Sequence, residues 1–146
     1  MAPAVTRVLI PLDLSEASTR TLEYGRTIAR AFRASLLVLH VVPNPYVTAA
    51  SDVYMPPPQE FLDELERDAG QRLNEFLTDQ DRKEFAAEAV VRVGDPGREI
   101  VACAQQQSAD LIVMGTHGRT GMVHLLLGSV AERVVRTASC PVLTMR

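Results

Sequence analysis

The chain has 146 residues, 47% of them hydrophobic and 23% charged, which is the composition of one globular domain and excludes a disordered, collagenous or coiled-coil chain. A net charge of −3, 5% aromatic residues and no Trp, with a pI of about 5.6, argue against nucleic acid or anionic lipid as a partner. No run approaches the roughly 18 apolar residues of a membrane span, and the N-terminus has no basic region followed by a long apolar one, so the expected location is cytoplasmic.

Val8-Leu9-Ile10 is an apolar run stopped by Pro11 and reads as a buried strand. A helical pattern follows, with Leu22, Gly25, Ile28, Ala29 and Phe32 on one face, Ser15 as its N-cap and Glu16 in its first turn. Leu36 to Val42 is a second apolar run, broken only by His40, which reads as a satisfied core histidine. Residues 43–58 hold five of the nine prolines and read as a long loop on the ligand side of the sheet, a candidate partial lid. The helical period returns with Phe61, Leu62, Leu65, Ala69, Leu73, Phe76 and Leu77 on one stripe. Residues 60–84 carry nine acids and four bases, which reads as a solvated helix face.

Ala87, Ala89, Val91 and Val93 alternate, as in a half-exposed edge strand. Asp95-Pro96 opens a third helix, with Asp as N-cap and Pro at the first helical position. Leu111 to Met114 is another apolar strand, and a Gly-rich segment leads to a helix with Val130, Ala131, Val134, Val135 and Ala138 on one side. Val142 to Met145 forms the last strand. The order βα, βα, βα, βα, β predicts an α/β fold. It is one domain over 1–146, a five-stranded parallel sheet in the order 3-2-1-4-5 with two helices on each face. Ligands of such sheets bind beyond the carboxyl ends of the strands, where the winding reverses.

The segment after the fourth strand reads Gly115-Thr116-His117-Gly118, then nine residues, then Gly128-Ser129. Glycines let backbone N–H groups approach an oxyanion, and a helix N-terminus attracts phosphate. The Ser129 hydroxyl can donate to a phosphate oxygen, and His117 can touch one. The same residues allow a second reading, because Ser129-Val130-Ala131-Glu132 matches a capping box in which Ser129 only caps its own helix. Asp13, just past the first strand, suits ribose hydroxyls or caps the following helix. There is no Gly-Lys-Ser/Thr motif and no Gly-x-Gly-x-x-Gly after the first strand. Cys103 and Cys140 read as buried reduced thiols and His124 as a solvated or packing residue, and the histidines and cysteines offer no metal spacing.

Several segments together resemble the universal stress proteins. They are Val8-Leu9-Ile10-Pro11-Leu12-Asp13, Leu39-His40-Val41-Val42, Gly94-Asp95-Pro96, Asp110 to Gly115, the glycine spacing above, and Ser139-Cys140-Pro141-Val142-Leu143. The Gly-x-x-Gly-x9-Gly-Ser spacing is similar to that of the ATP-binding branch of this family. The resemblance implies a Rossmann-like adenine-nucleotide site. Gly115 and Gly118 would line it, and Gly128, Ser129 and Val130 would cradle the phosphates. Asp13 would hold the ribose and the Val41 backbone would meet the adenine edge. Pro11, Leu12 and Met114 would shape the walls. Mg2+ or Mn2+ could arrive with ATP. Ala131 stands where some members place a hydroxyl, which weakens the expected grip on the terminal phosphate.

No Ser-His-Asp order, carboxylate pair or Cys-His constellation stands out, so no residue is read as catalytic. The expected function is an ATP-dependent regulatory switch in a stress response. The alternatives are a low-turnover ATPase and a sensor of another adenine nucleotide such as cyclic AMP. The apolar C-terminal strand, as an open sheet edge, is a template for pairing with a second copy. The family resemblance likewise implies a homodimer through residues 142–145.

Overall fold

The apolar runs become strands: β1 (Arg7–Pro11), β2 (Ser35–Pro43), β3 (Glu88–Gly94), β4 (Leu111–Gly115) and β5 (Val142–Met145). The computed structural model describes residues 4–44, 56–117 and 127–146, so residues 45–55 of the candidate lid (43–58), Gly118 and His124 lie outside the described residues. All strand pairs are parallel, in the expected order β3-β2-β1-β4-β5. The central strands are covered on both faces, which is why they read as unbroken apolar runs: Val8, Leu9, Ile10, Leu37, Val38, Leu39, Ile112 and Val113 are all 0% exposed. At the β3 edge Ala89 and Val91 pack toward one face and Val90 toward the other.

The helices are α1 (Ala17–Phe32), α2 (Gln59–Phe76), α3 (Asp79–Phe85), α4 (Pro96–Gln106) and α5 (Ser129–Thr137). Val8 and Ile10 of β1 join Leu22, Leu73 and Phe85 in the core beneath α1, α2 and α3. Leu9 joins Ile100, Ala104 and Val134 beneath α4 and α5. The faces therefore carry three and two helices, not two each. The extra helix arises at Thr78, whose hydroxyl accepts from the Asp81 N–H at 3.1 Å. Asp81 in return accepts from the Thr78 N–H at 2.8 Å, closing a capping box.

Asp81 is buried, so the acidic stretch 60–84 is not only a solvated face. Its carboxylate takes the Arg26 guanidinium through two bonds of 2.7 and 2.6 Å, tying α3 to α1. Beside it Arg30 pairs with Glu84 and lies 5.3 Å over the centre of the Phe85 ring. Three residues expected on buried helix faces are exposed: Phe32, Phe61 and Val135. Phe32 and Phe61 occupy terminal turns of their helices, and Val135 is one residue around the helix from the buried Val134.

Candidate functional site

Two local features open a crevice at the carboxyl ends of the strands. Pro11 has no N–H to continue the ladder toward β4, and pairing between β1 and β4 stops at Leu9 and Ile112. Helix α1 leaves β1 on one face and α4 enters β4 on the other, so the winding reverses between these two strands. The cavity there has a volume of about 360 Å3, within the roughly 300–1,000 Å3 of small-molecule sites.

Ten of the eleven residues predicted for the site line this one cavity, and Gly118 is outside the described residues. Pro11, Leu12 and Asp13 come from the end of β1, and Val41 from β2. Met114, Gly115 and His117 come from β4 and its exit, and Gly128, Ser129 and Val130 from the start of α5. Sequence reasoning missed Ala17, Ser18 and Thr21 of α1 and Pro96 and Ile100 of α4 as lining residues. The Asp-Pro cap placed α4's start at the carboxyl edge of the sheet and could have signalled Pro96. Ser18 and Thr21 gave a weaker signal, two polar residues on a helix face that turns out to be buried.

Asp13 is held tightly. Its Oδ1 accepts from the Ser15 N–H at 3.0 Å, the Ser15 hydroxyl at 2.6 Å and the Ser18 hydroxyl at 3.0 Å. Ser15 is thus not the cap of α1: the helix starts at Ala17, after Glu16, and the Ser15 hydroxyl is engaged by Asp13. Leu14, in the left-handed region at φ 62, bends the chain through this turn.

Three helix N-termini contribute residues to the cavity, and they are not equivalent. The start of α1 is faced by the Asp13 carboxylate, and that of α4 is closed by Asp95, which accepts from the Arg98 N–H at 3.0 Å. Helix α5 has Gly128 as its N-cap and no side-chain cap. Ser129 is its first helical residue and Glu132 pairs with Arg136, so the capping-box reading of Ser129 does not hold. The Gly128 N–H donates to the Thr116 carbonyl at 2.6 Å, and the first helical bond runs from the Glu132 N–H to the Gly128 carbonyl. The N–H groups of Ser129, Val130 and Ala131 precede that bond and face the end of the helix, an arrangement suited to an oxyanion. Among the described lining residues the ionisable side chains are Asp13, His40 and His117, with no Lys or Arg. The backbone N–H groups at the start of α5 therefore offer an anion their attraction with no Lys or Arg among these residues to add to it.

The universal stress protein family model matches residues 4–146. The chain belongs to the universal stress protein family. It is 36% identical to universal stress protein MJ0531 of Methanocaldococcus jannaschii, over 96% of this chain and 81% of that protein. Among solved structures it resembles universal stress protein UspA from Lactobacillus plantarum, with a TM-score of 0.72 and 26% identity over 99% of each chain. It also resembles a universal stress protein solved in complex with cAMP, with a TM-score of 0.61 and 26% identity over 99% of this chain and 98% of that one. Against this family background the other candidate features are plain. Cys103 is buried and Cys140 half-buried, and burial pushes both thiols up, away from reactivity. Among the described residues no helix is long and apolar enough to cross a membrane, and no group of three His, Cys, Asp or Glu side chains could hold a metal ion.

Proposed function

We propose that this universal stress protein binds an adenine nucleotide, with ATP as the first candidate, in the cavity between β1 and β4, and acts as a nucleotide-dependent switch. The observation that carries the reading is the uncapped N-terminus of α5 opening on the same cavity as Asp13. One supplies backbone donors for phosphate and the other a carboxylate for ribose hydroxyls. A family member solved with cAMP supports the same ligand class. The proposal includes no efficient catalysis. Asp13 is tied to Ser15 and Ser18, and the nearby His117 Nδ1 meets the Thr116 hydroxyl at 2.9 Å. A Mg2+ or Mn2+ ion would arrive on the triphosphate, and Asp13 is the acidic side chain of the described lining that could approach it.

A second reading, a sensor of cyclic AMP, is favoured by the lack of Lys and Arg among the described lining residues. A cyclic monophosphate carries one negative charge and asks less of a site without cations. Calorimetric titration with ATP, ADP, AMP and cAMP decides between them, followed by incubation with ATP to see whether the γ-phosphate survives. ATP binding with the triphosphate intact over hours supports the switch. Steady release of phosphate supports a low-turnover ATPase, tighter binding of cAMP the second reading, and no binding of any of the four ends the nucleotide reading.

A further inference from the structure

His40 lies near the end of β2, buried, and lines the cavity. Its Nδ1 is 2.7 Å from the Leu12 carbonyl oxygen. A carbonyl only accepts, so this ring nitrogen carries the hydrogen. The backbone around it explains the significance of that bond. The Leu12 N–H donates to the Leu39 carbonyl at 2.8 Å, one more rung of the parallel β1–β2 ladder. In a parallel ladder the next rung would run from the Val41 N–H to the Leu12 carbonyl. Among the described residues that rung is not made, and the carbonyl takes the His40 ring instead.

Backbone polar groups alternate sides along a strand. Leu39 faces β1 through its carbonyl, so Val41, two residues on, faces the same side, beyond the point where β1 has ended. Asn44 donates to Gly94 of β3, which puts the even-numbered residues on the opposite side and agrees with this assignment. The Val41 N–H and C=O are thus turned toward the crevice rather than into the sheet. Together they form a donor–acceptor pair, which matches the acceptor N1 and donor amino group of adenine and opposes the reversed pattern of hypoxanthine.

We propose that His40 is a positioning residue: by drawing the Leu12 carbonyl toward its own ring it holds that oxygen away from the Val41 N–H, keeps the β1–β2 ladder from closing one rung further and leaves the Val41 backbone to select the base. The proposal rests on the nucleotide reading above and adds base selectivity to it. The test compares the affinities of ATP and inosine triphosphate, by titration calorimetry, for the wild-type chain, His40→Leu, His40→Asn and His40→Gln. The phosphates and sugar are the same in both ligands, so the ratio reports the base alone.

The wild type should prefer ATP by at least about tenfold, the discrimination expected when a buried donor–acceptor pair is mismatched. His40→Leu frees the carbonyl for the Val41 N–H and should bring the ratio to within about threefold of unity. His40→Asn places an amide N–H where Nδ1 stands and should restore most of the preference. His40→Gln carries its donor one methylene further and should not. Should the leucine variant fail to fold, the contrast between Asn and Gln tests the same point. A full ATP preference in His40→Leu or in His40→Gln would overturn the proposal, as would a wild type that binds both ligands equally while still binding nucleotide. A wild type that binds neither ligand overturns the nucleotide reading itself.

Discussion

Ser129 carries two opposing demands at a single residue. It is the exposed first residue of α5, at the positive end of the helix dipole, with no side-chain cap beside it. A carboxylate there should stabilise the helix by about 0.3–1 kcal/mol and repel a phosphate. Ser129→Asp is therefore expected to raise the melting temperature slightly while lowering ATP affinity by roughly tenfold or more, one unmade charge-assisted bond plus repulsion. Denaturation with calorimetric titration checks both signs, and a stabilised variant that binds ATP as well as the wild type would remove phosphate from the start of α5. Gly128→Ala is a poorer probe, because a Cβ there would lie 2.9 Å from the Thr116 carbonyl oxygen, which is backbone. Loss of binding in that variant would not separate a crowded phosphate from a displaced loop.

At the scale of elements, α3 clips the α2–β3 connection to α1, and Asp81 is the centre of the clip. Burial pushes the Asp81 carboxyl up, but the Arg26 guanidinium, with the Thr78 N–H and hydroxyl, outweighs it and leaves the group below the ordinary carboxylate value. Asp81→Ala removes these charge-assisted bonds but leaves an Arg26 side chain that is 23% exposed and partly hydrated, so it should lower the denaturation midpoint by the equivalent of about 1.5–3 kcal/mol. A carboxyl whose folded pKa is depressed contributes stability above its unfolded value, about 3.9, and loses it as pH falls through the folded value. Denaturation from pH 6 to pH 2 should therefore show a shallower acid loss in Asp81→Asn than in the wild type, and parallel curves would place the acid sensitivity elsewhere.

Strand β5 raises a different question, whether its outer edge pairs with a second copy. Pro141 and Met145 accept bonds from Ile112 and Thr116, so residues 141, 143 and 145 turn their backbones inward to β4. Leu143→Pro would break the sheet itself. Thr144 points its N–H outward, and Thr144→Pro is the change that blocks edge pairing alone. A dimer built on this edge should become a monomer in that variant by light scattering, with folding retained. A wild-type mass near 16 kDa at all concentrations would dispose of the dimer.

Across the whole molecule, the site and the core share the same strands, so ligand binding should report on global stability. The cavity is walled by β1, β2 and β4 residues whose neighbours are fully buried. Gly25 shows how closely the layers meet, since a Cβ there would overlap Ile10 Cδ1 of β1. A ligand that binds only the folded chain stabilises it by about 2.7 kcal/mol at a hundred times its Kd. For a domain of this size each kcal/mol moves the melting temperature by roughly 2–4 °C. Saturating ATP should therefore raise it by about 5–10 °C, and an unchanged transition, by calorimetry or circular dichroism, would argue that the cavity does not take ATP.

The sequence by itself determined the strands, their order and most of the cavity, because fully covered parallel strands must be written as unbroken apolar runs. Pro11, Asp95-Pro96 and the glycines punctuate those runs where the crevice opens. Ten predicted residues meet in one place for that reason. What only the tertiary structure decided was which polar group each side chain serves. Ser15 looks like a helix cap in the chain, but in the fold its hydroxyl and that of Ser18 converge on Asp13. Asp81 looks like one more solvated acid until Arg26, 55 residues away in sequence, reaches it. His40 was legible as a satisfied core histidine, but its partner, the Leu12 carbonyl, lies on a neighbouring strand's exit, and no local pattern records such a bond. Periodicity encodes what a residue buries, because burial follows from its own element. Hydrogen-bond partnership across elements depends on how the chain returns, and that geometry exists only once the sheet is assembled.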